Sequence, residues 1–182
     1  MDAPLGPVLI ALARHAIATR LGLDAPPPGE HPALATSGAS FVTLTAGGAL
    51  RGCIGQLEAI RPLGEDVRAN ALAAAFSDPR FRPLAAAEWP AIRVEVSVLG
   101  AVEYLACPTE EDCLRLITPG VDGVVLASGR RRATFLPQVW LQLPDPQAFI
   151  EHLLRKAGLP VGGWPADMEL GVYHVDEYRE AP

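Results

Sequence analysis

The chain has 182 residues, 49% of them hydrophobic and 20% charged, with a formal net charge of −6. That length supports one domain or two lobes with a sizeable core. The acidic balance weighs against a general nucleic-acid binder, which carries a basic face.

Leu5 to Leu21 predicts an amphipathic helix. Leu5, Leu9, Leu12 and Ala16 fall at helical spacing, and Gly22 supplies a stop. His15 lies beside that stripe and reads as a partly buried helix residue. The apolar run from Val8 is broken by Arg14 and is too short for a membrane span. No basic region precedes it, so a cytoplasmic protein is expected. Pro26-Pro27-Pro28 imposes an extended loop.

Phe41 to Thr45 is β-branched and aromatic, which suits a strand. Gly47-Gly48 can take the positive φ values of a two-residue hairpin turn. Leu50-Arg51-Gly52-Cys53-Ile54-Gly55 returns as the second strand. With the two glycines as turn, Leu44 is expected opposite Arg51 and Val42 opposite Cys53. Arg51 and Cys53 then share a face, about 7 Å apart at their Cα atoms. A guanidinium at that range favours thiolate over thiol. Gly52 and Gly55 flank the sulfur and are expected to leave backbone N–H groups open to a ligand. The same residues also suit a plain hairpin with a buried cysteine, since free cysteine is among the most buried residue types.

Pro62 to Ser77 predicts an alanine-rich helix with Leu63, Val67, Ala71 and Ala74 on one face. Pro79 ends it. The corner Asp78-Pro79-Arg80-Phe81 is either a turn held by a local ion pair or a projection toward a cleft. Ile92 to Leu99 alternates as a strand. Glu95 in it reads as a solvated strand residue. Thr109 and Asp112 open a short helix through Ile117. Val124–Leu126 and Ala133–Leu136 form a second hairpin around Gly129-Arg130. The basic run Arg130-Arg131-Arg132 reads as its solvated tip. Asp145-Pro146 starts a helix that Gly158 caps, and His152 sits within it. A last strand covers Leu170, Val172 and His174.

The cysteines are Cys53, Cys107 and Cys113. An odd count without dense spacing does not make a disulfide framework. Cys107 and Cys113 lack a nearby histidine pair, so no metal site is expected. There is no phosphate-binding loop, dinucleotide fingerprint or Gly-x-Ser-x-Gly elbow, and no cofactor is expected.

Six blocks taken together are more specific than any one of them. They are Phe41–Leu44, Leu50–Gly55, Asp78-Pro79-Arg80-Phe81-Arg82-Pro83-Leu84, Val94–Leu99, Ala133–Val139 and Lys156-Ala157-Gly158-Leu159. Their order and spacing resemble the AMMECR domain family, also called AmmeMemoRadiSam system protein A, from about Leu5 to Tyr178. The resemblance implies one α+β domain over residues 1–182: an antiparallel sheet flanked by helices, in two unequal lobes with a cleft between them. It implies a cytosolic protein acting beside a Memo-type protein and a radical-SAM protein. It supplies no reaction. It implies Cys53 as the active-site residue, with Arg51, Gly52, Gly55, Asp78, Arg80 and Phe81 as substrate-binding positions. Arg51, Asp78 and Arg80 are expected to converge on Cys53. Two guanidiniums against one carboxylate would leave a positive balance suited to a small anionic or carbonyl-bearing guest. An adaptor that presents this surface to its partner proteins, without catalysis, is the alternative.

Overall fold

A computed structural model describes residues 4–180; the first three and last two residues lie outside it. The fold is α+β, with two four-stranded antiparallel sheets rather than one. The chain divides into two compact units. One holds the residues up to Leu99 and those from Asp176 onward, and the other holds Gly100–Val175.

In the first unit, helix α1 (Leu5–Arg20) is followed by the proline-rich loop. Strands β1 (Ala39–Ala46) and β2 (Ala49–Gly55) form the predicted hairpin. Gly47 and Gly48 take φ values of 58° and 81°, which fit the turn. Helix α2 (Leu63–Phe76) and strand β3 (Ile92–Leu99) follow. The chain re-enters this unit in β8 (Val175–Arg179), giving the strand order β2-β1-β3-β8. One sheet face is apolar. Val42, Leu44, Val94 and Val96 are fully buried there against Leu9, Ile17, Val67 and Ala71 of the two helices. The opposite face carries Thr43, Cys53 and Glu95 side by side across three strands.

The hairpin register differs from the expected one. A bulge between Leu44 and Thr45 sets Leu44 opposite Gly52 and Thr43 opposite Cys53. Arg51 is the extra residue on β2.

Helix α2 is tied to the hairpin by a buried polar network as well as by its apolar stripe. The fully buried Asp66 carboxylate accepts the backbone N–H and the hydroxyl of Ser40, the amides of Asn70 and Gln56, and the Arg61 guanidinium. Asn70 also donates to the Ser40 carbonyl at 3.0 Å. A carboxylate without water is tolerated only when its lone pairs are filled this way.

The second unit contains β4 (Glu103–Leu105), α3 (Glu110–Leu116), β5 (Gly123–Ser128), β6 (Arg131–Phe135), α4 (Pro146–Ala157) and β7 (Glu169–Tyr173). Its sheet order is β4-β7-β5-β6. Phe149, Ile150, Leu153 and Leu154 of α4 pack on Val124, Leu126 and Leu170 of the sheet. Asp145 caps α4 through the Ala148 N–H, and Gly158 ends it at φ 71°. Strands β4 and β8 were not apparent from the sequence. Glu95 is ion-paired to Arg179 rather than simply solvated, and Arg131 donates to the Gly158 carbonyl.

The odd cysteine count pointed away from disulfides, yet Cys107 and Cys113 are bridged, with Cα atoms 5.1 Å apart. The first turn of α3 brings these two cysteines, six positions apart, within bridging range. Cys53 is the free cysteine. No helix among the described residues is long and apolar enough to cross a membrane.

Candidate functional site

Every residue implied for the site lies in the first unit. Gly52 points at α2. A Cβ built on it would stand 2.1 Å from the carbonyl oxygen of Ala74, so only glycine lets the helix lie this close. Gly55 is equally closed, with its missing Cβ position 2.2 Å from the Phe41 ring and 2.4 Å from the Ser40 carbonyl. These glycines serve close packing and do not leave an open cradle of N–H groups, which corrects the expectation for Gly52 and Gly55.

The approach of α2 over Gly52 has a second effect. The helix ends at Phe76, and the chain turns at Ser77 beside the edge of β2. Asp78 then reaches the outward N–H of Cys53, which donates to Oδ2 at 2.9 Å. Arg80 follows Pro79 and donates to both Asp78 oxygens, from Nε at 2.9 Å and Nη2 at 2.7 Å. The same Nη2 reaches the Cys53 carbonyl at 3.2 Å. Both peptide groups of Cys53 therefore bond outward, where a further strand would otherwise sit. Cys53 and Thr43 then form the non-hydrogen-bonded type of cross-strand pair, the type with closer side chains. The Thr43 hydroxyl donates to Sγ at 3.2 Å.

Arg51 is held from another direction. Glu88, in a 3-10 turn at Ala86–Ala91, accepts its Nε at 2.8 Å and its Nη2 at 3.1 Å. The Arg82 carbonyl also accepts Nη2. Arg51 Nη1 is buried with no partner. The Arg51 and Arg80 guanidiniums lie 5.8 and 5.5 Å from the centre of the Phe81 ring, within cation–π range.

Each of the two expected guanidiniums has a carboxylate of its own. Arg80 faces Asp78 and Arg51 faces Glu88. The hydrogen bond from Arg80 holds the Asp78 carboxyl well below the usual carboxylate range. Burial opposes the shift, and the N–H groups of Cys53 and Arg80 reinforce it. The Glu88 carboxyl is lowered to about 2, first by the Arg51 hydrogen bond and then by the Ala85 N–H. Both guanidiniums are raised by these partners. The expectation of one carboxylate against two guanidiniums is thus corrected by a second carboxylate 37 residues downstream of Arg51, which also feels the charge of Arg82. Sequence reading missed Glu88. Its only signal was an acid in an otherwise apolar stretch, Ala85 to Ala91.

The structure thus gathers Cys53, Asp78, Arg80, Phe81 and Arg51 in one place, with Glu88 and Thr43 added. Among the described residues, the only hydrogen-bond partner of the Cys53 sulfur is Thr43, and no histidine bonds to it. The arrangement fixes the backbone around a half-buried cysteine and offers one half-exposed guanidinium, Arg80.

The sequence profile of the AMMECR1 family matches residues 10–178. The chain belongs to the AMMECR1 family. It is 43% identical over 121 residues to a protein of Methanothermobacter thermautotrophicus, a match covering 66% of this chain and 63% of that one. It is 37% identical over 168 residues to a protein of Saccharolobus islandicus, covering 88% and 74% of the two chains. The first of these relatives therefore extends well beyond the matched part. A similar fold is seen in the crystal structure of an uncharacterized protein from Pyrococcus horikoshii. That structure is 35% identical, with a TM-score of 0.84 over 96% of this chain and 91% of that one.

Proposed function

We propose that this AMMECR1-family protein is a cysteine-dependent enzyme in which Cys53 reacts with a small anionic or carbonyl-bearing molecule. The observation that carries this reading is the clasp on Cys53. A carboxylate whose side chain is only 1% exposed accepts the N–H of Cys53, and its arginine partner donates to the carbonyl of that same residue. Burying a carboxylate is costly unless it is fully paired. Here the cost is borne around a cysteine that stays partly exposed. The Thr43 hydroxyl donates to its sulfur and fixes its direction. A thiol adds across a carbonyl group: the sulfur bonds the carbon as the C=O π bond opens, and the thiol proton ends on the oxygen. Arg80, with 53% of its side chain exposed, is the group an anionic guest would meet. A Memo-type protein and a radical-SAM protein are the proposed partners, and support for them comes from the family resemblance alone.

An adaptor role is the second reading. The pairing of both carboxylates with arginines favours it, since Asp78 and Glu88 are then engaged elsewhere and Thr43 is the one group that bonds the sulfur among the described residues.

The two readings separate in cells lacking the gene and complemented with the native chain or Cys53→Ser. In an enzyme, Cys53→Ser gives the metabolite profile of the empty strain while still co-purifying with the partner proteins. Restoration of the native profile by Cys53→Ser rules out the catalytic reading.

A further inference from the structure

A cavity of about 450 Å³ lies in the first unit, and none of its lining residues belongs to the Cys53 site. Its size falls in the range of small-molecule pockets, roughly 300–1,000 Å³. One wall is α1, which contributes Ile10, Ala11 and Ala18. The small alanines leave a hollow where larger side chains would fill the space. The segment after α1, Asp24 to Pro26, and the Trp89 indole supply further walls.

The polar groups around the hollow differ in how far they are satisfied. Arg14 is fully engaged. It donates to the Glu180 carboxylate and, at 2.6 Å, to the Ile92 carbonyl, and it lies 4.6 Å from the centre of the Trp89 ring. Its charge is cancelled by Glu180. His15 Nδ1 is 3.0 Å from the Pro26 carbonyl. A carbonyl only accepts, so Nδ1 carries a proton and the neutral ring keeps Nε2 as an acceptor. Asp24 has no hydrogen-bond or ion-pair partner among the described residues. The cavity therefore combines an apolar wall, an indole and acceptors, with one uncompensated negative charge.

We propose that this cavity binds a small organic cation with an apolar or aromatic body, its ammonium group paired with Asp24. The body would lie on Ile10, Ala11 and Ala18, with Trp89 adding aromatic contact. An anion of the same shape is repelled by Asp24, and a neutral molecule leaves that carboxylate unpaired. A metal ion is a poor fit, because no group of three metal-ligating side chains is found among the described residues.

The test is an NMR titration at pH 8, following the Ala11 and Ala18 methyl groups and the Trp89 indole N–H. The probes are phenethylamine, 2-phenylethanol and 3-phenylpropionate, which share a body and differ in charge. The amine is expected to shift all three signals and to bind roughly tenfold more tightly than the alcohol, with no binding of the carboxylate. Asp24→Asn, at an exposed position, is expected to reduce the amine to the affinity of the alcohol. Cys53→Ser is expected to change nothing, which separates this proposal from the catalytic one. No shift with the amine, equal binding of amine and carboxylate, or an Asp24→Asn variant that binds the amine like the native chain would each overturn it.

Discussion

Gly52 has no room for a side chain. A Cβ there would meet a backbone carbonyl of α2, an atom that cannot rotate away. Gly52→Ala is expected to destabilise the protein by about 3 kcal/mol, the upper end for overpacking. The check is the urea midpoint, read at unchanged slope. A midpoint within error of the native one would mean that α2 moves aside freely. The ion pairs make a second residue-level prediction. Asp78 and Glu88 both titrate below their unfolded values. Their stabilising effect is therefore complete above about pH 4.3 and is lost as the pH falls through their folded values. Urea midpoints should fall from pH 4.5 to pH 2, and the fall should be shallower in Glu88→Gln. An unchanged slope in that variant would show that Arg51 does not hold Glu88 in solution. At this scale much of the site was legible. Cys53, Arg51, Asp78, Arg80 and Phe81 lie in two short blocks that the structure brings together. What those blocks do to each other was not legible, because Glu88 comes from a 3-10 turn with no distinctive pattern.

Helix α2 presents two kinds of contact. Its alanine stripe was visible as a helical period, but Asp66 and Asn70 on the neighbouring stripe went unread. The signal was available: two polar residues four apart, each just before a stripe residue (Val67 and Ala71), mark polar positions at the rim of an apolar face. Asp66→Asn is expected to cost about 3 kcal/mol or more, because an amide NH2 would then face groups that are themselves donors. Thermal unfolding measures this, and a loss below 1 kcal/mol would show that water or a rearranged Gln56 takes over. The hairpin was legible in its turn and illegible in its register. Gly47-Gly48 announces the turn, but an extra residue at Arg51 leaves no trace in an alternating pattern. Strands β4 and β8 escaped for another reason. Glu103–Leu105 has three residues, and β8 reads Val-Asp-Glu-Tyr-Arg, in which three of five residues are charged and no apolar alternation appears.

Each of the two units has its own buried cluster. The second is inserted between β3 and β8, strands that are neighbours in the first unit's sheet. The first unit therefore closes only when the last strand of the chain pairs, a contact distant in sequence. Sheets with unpaired borders invite other chains, and native proteins guard such borders. On β2 the guard is Asp78 with Arg80, which occupies the outward N–H and carbonyl of Cys53. Take it away, and an open strand that already shows Leu50 to solvent becomes a template for a second molecule. Asp78→Ala should therefore self-associate, with a weight-average mass by light scattering that climbs with concentration more steeply than that of the native chain. Arg80→Ala, which frees only the carbonyl, should do so less. If both variants scatter like the native chain, the clasp has no part in keeping molecules apart. If they do not, the residues that hold the thiol in place also protect the protein from aggregation.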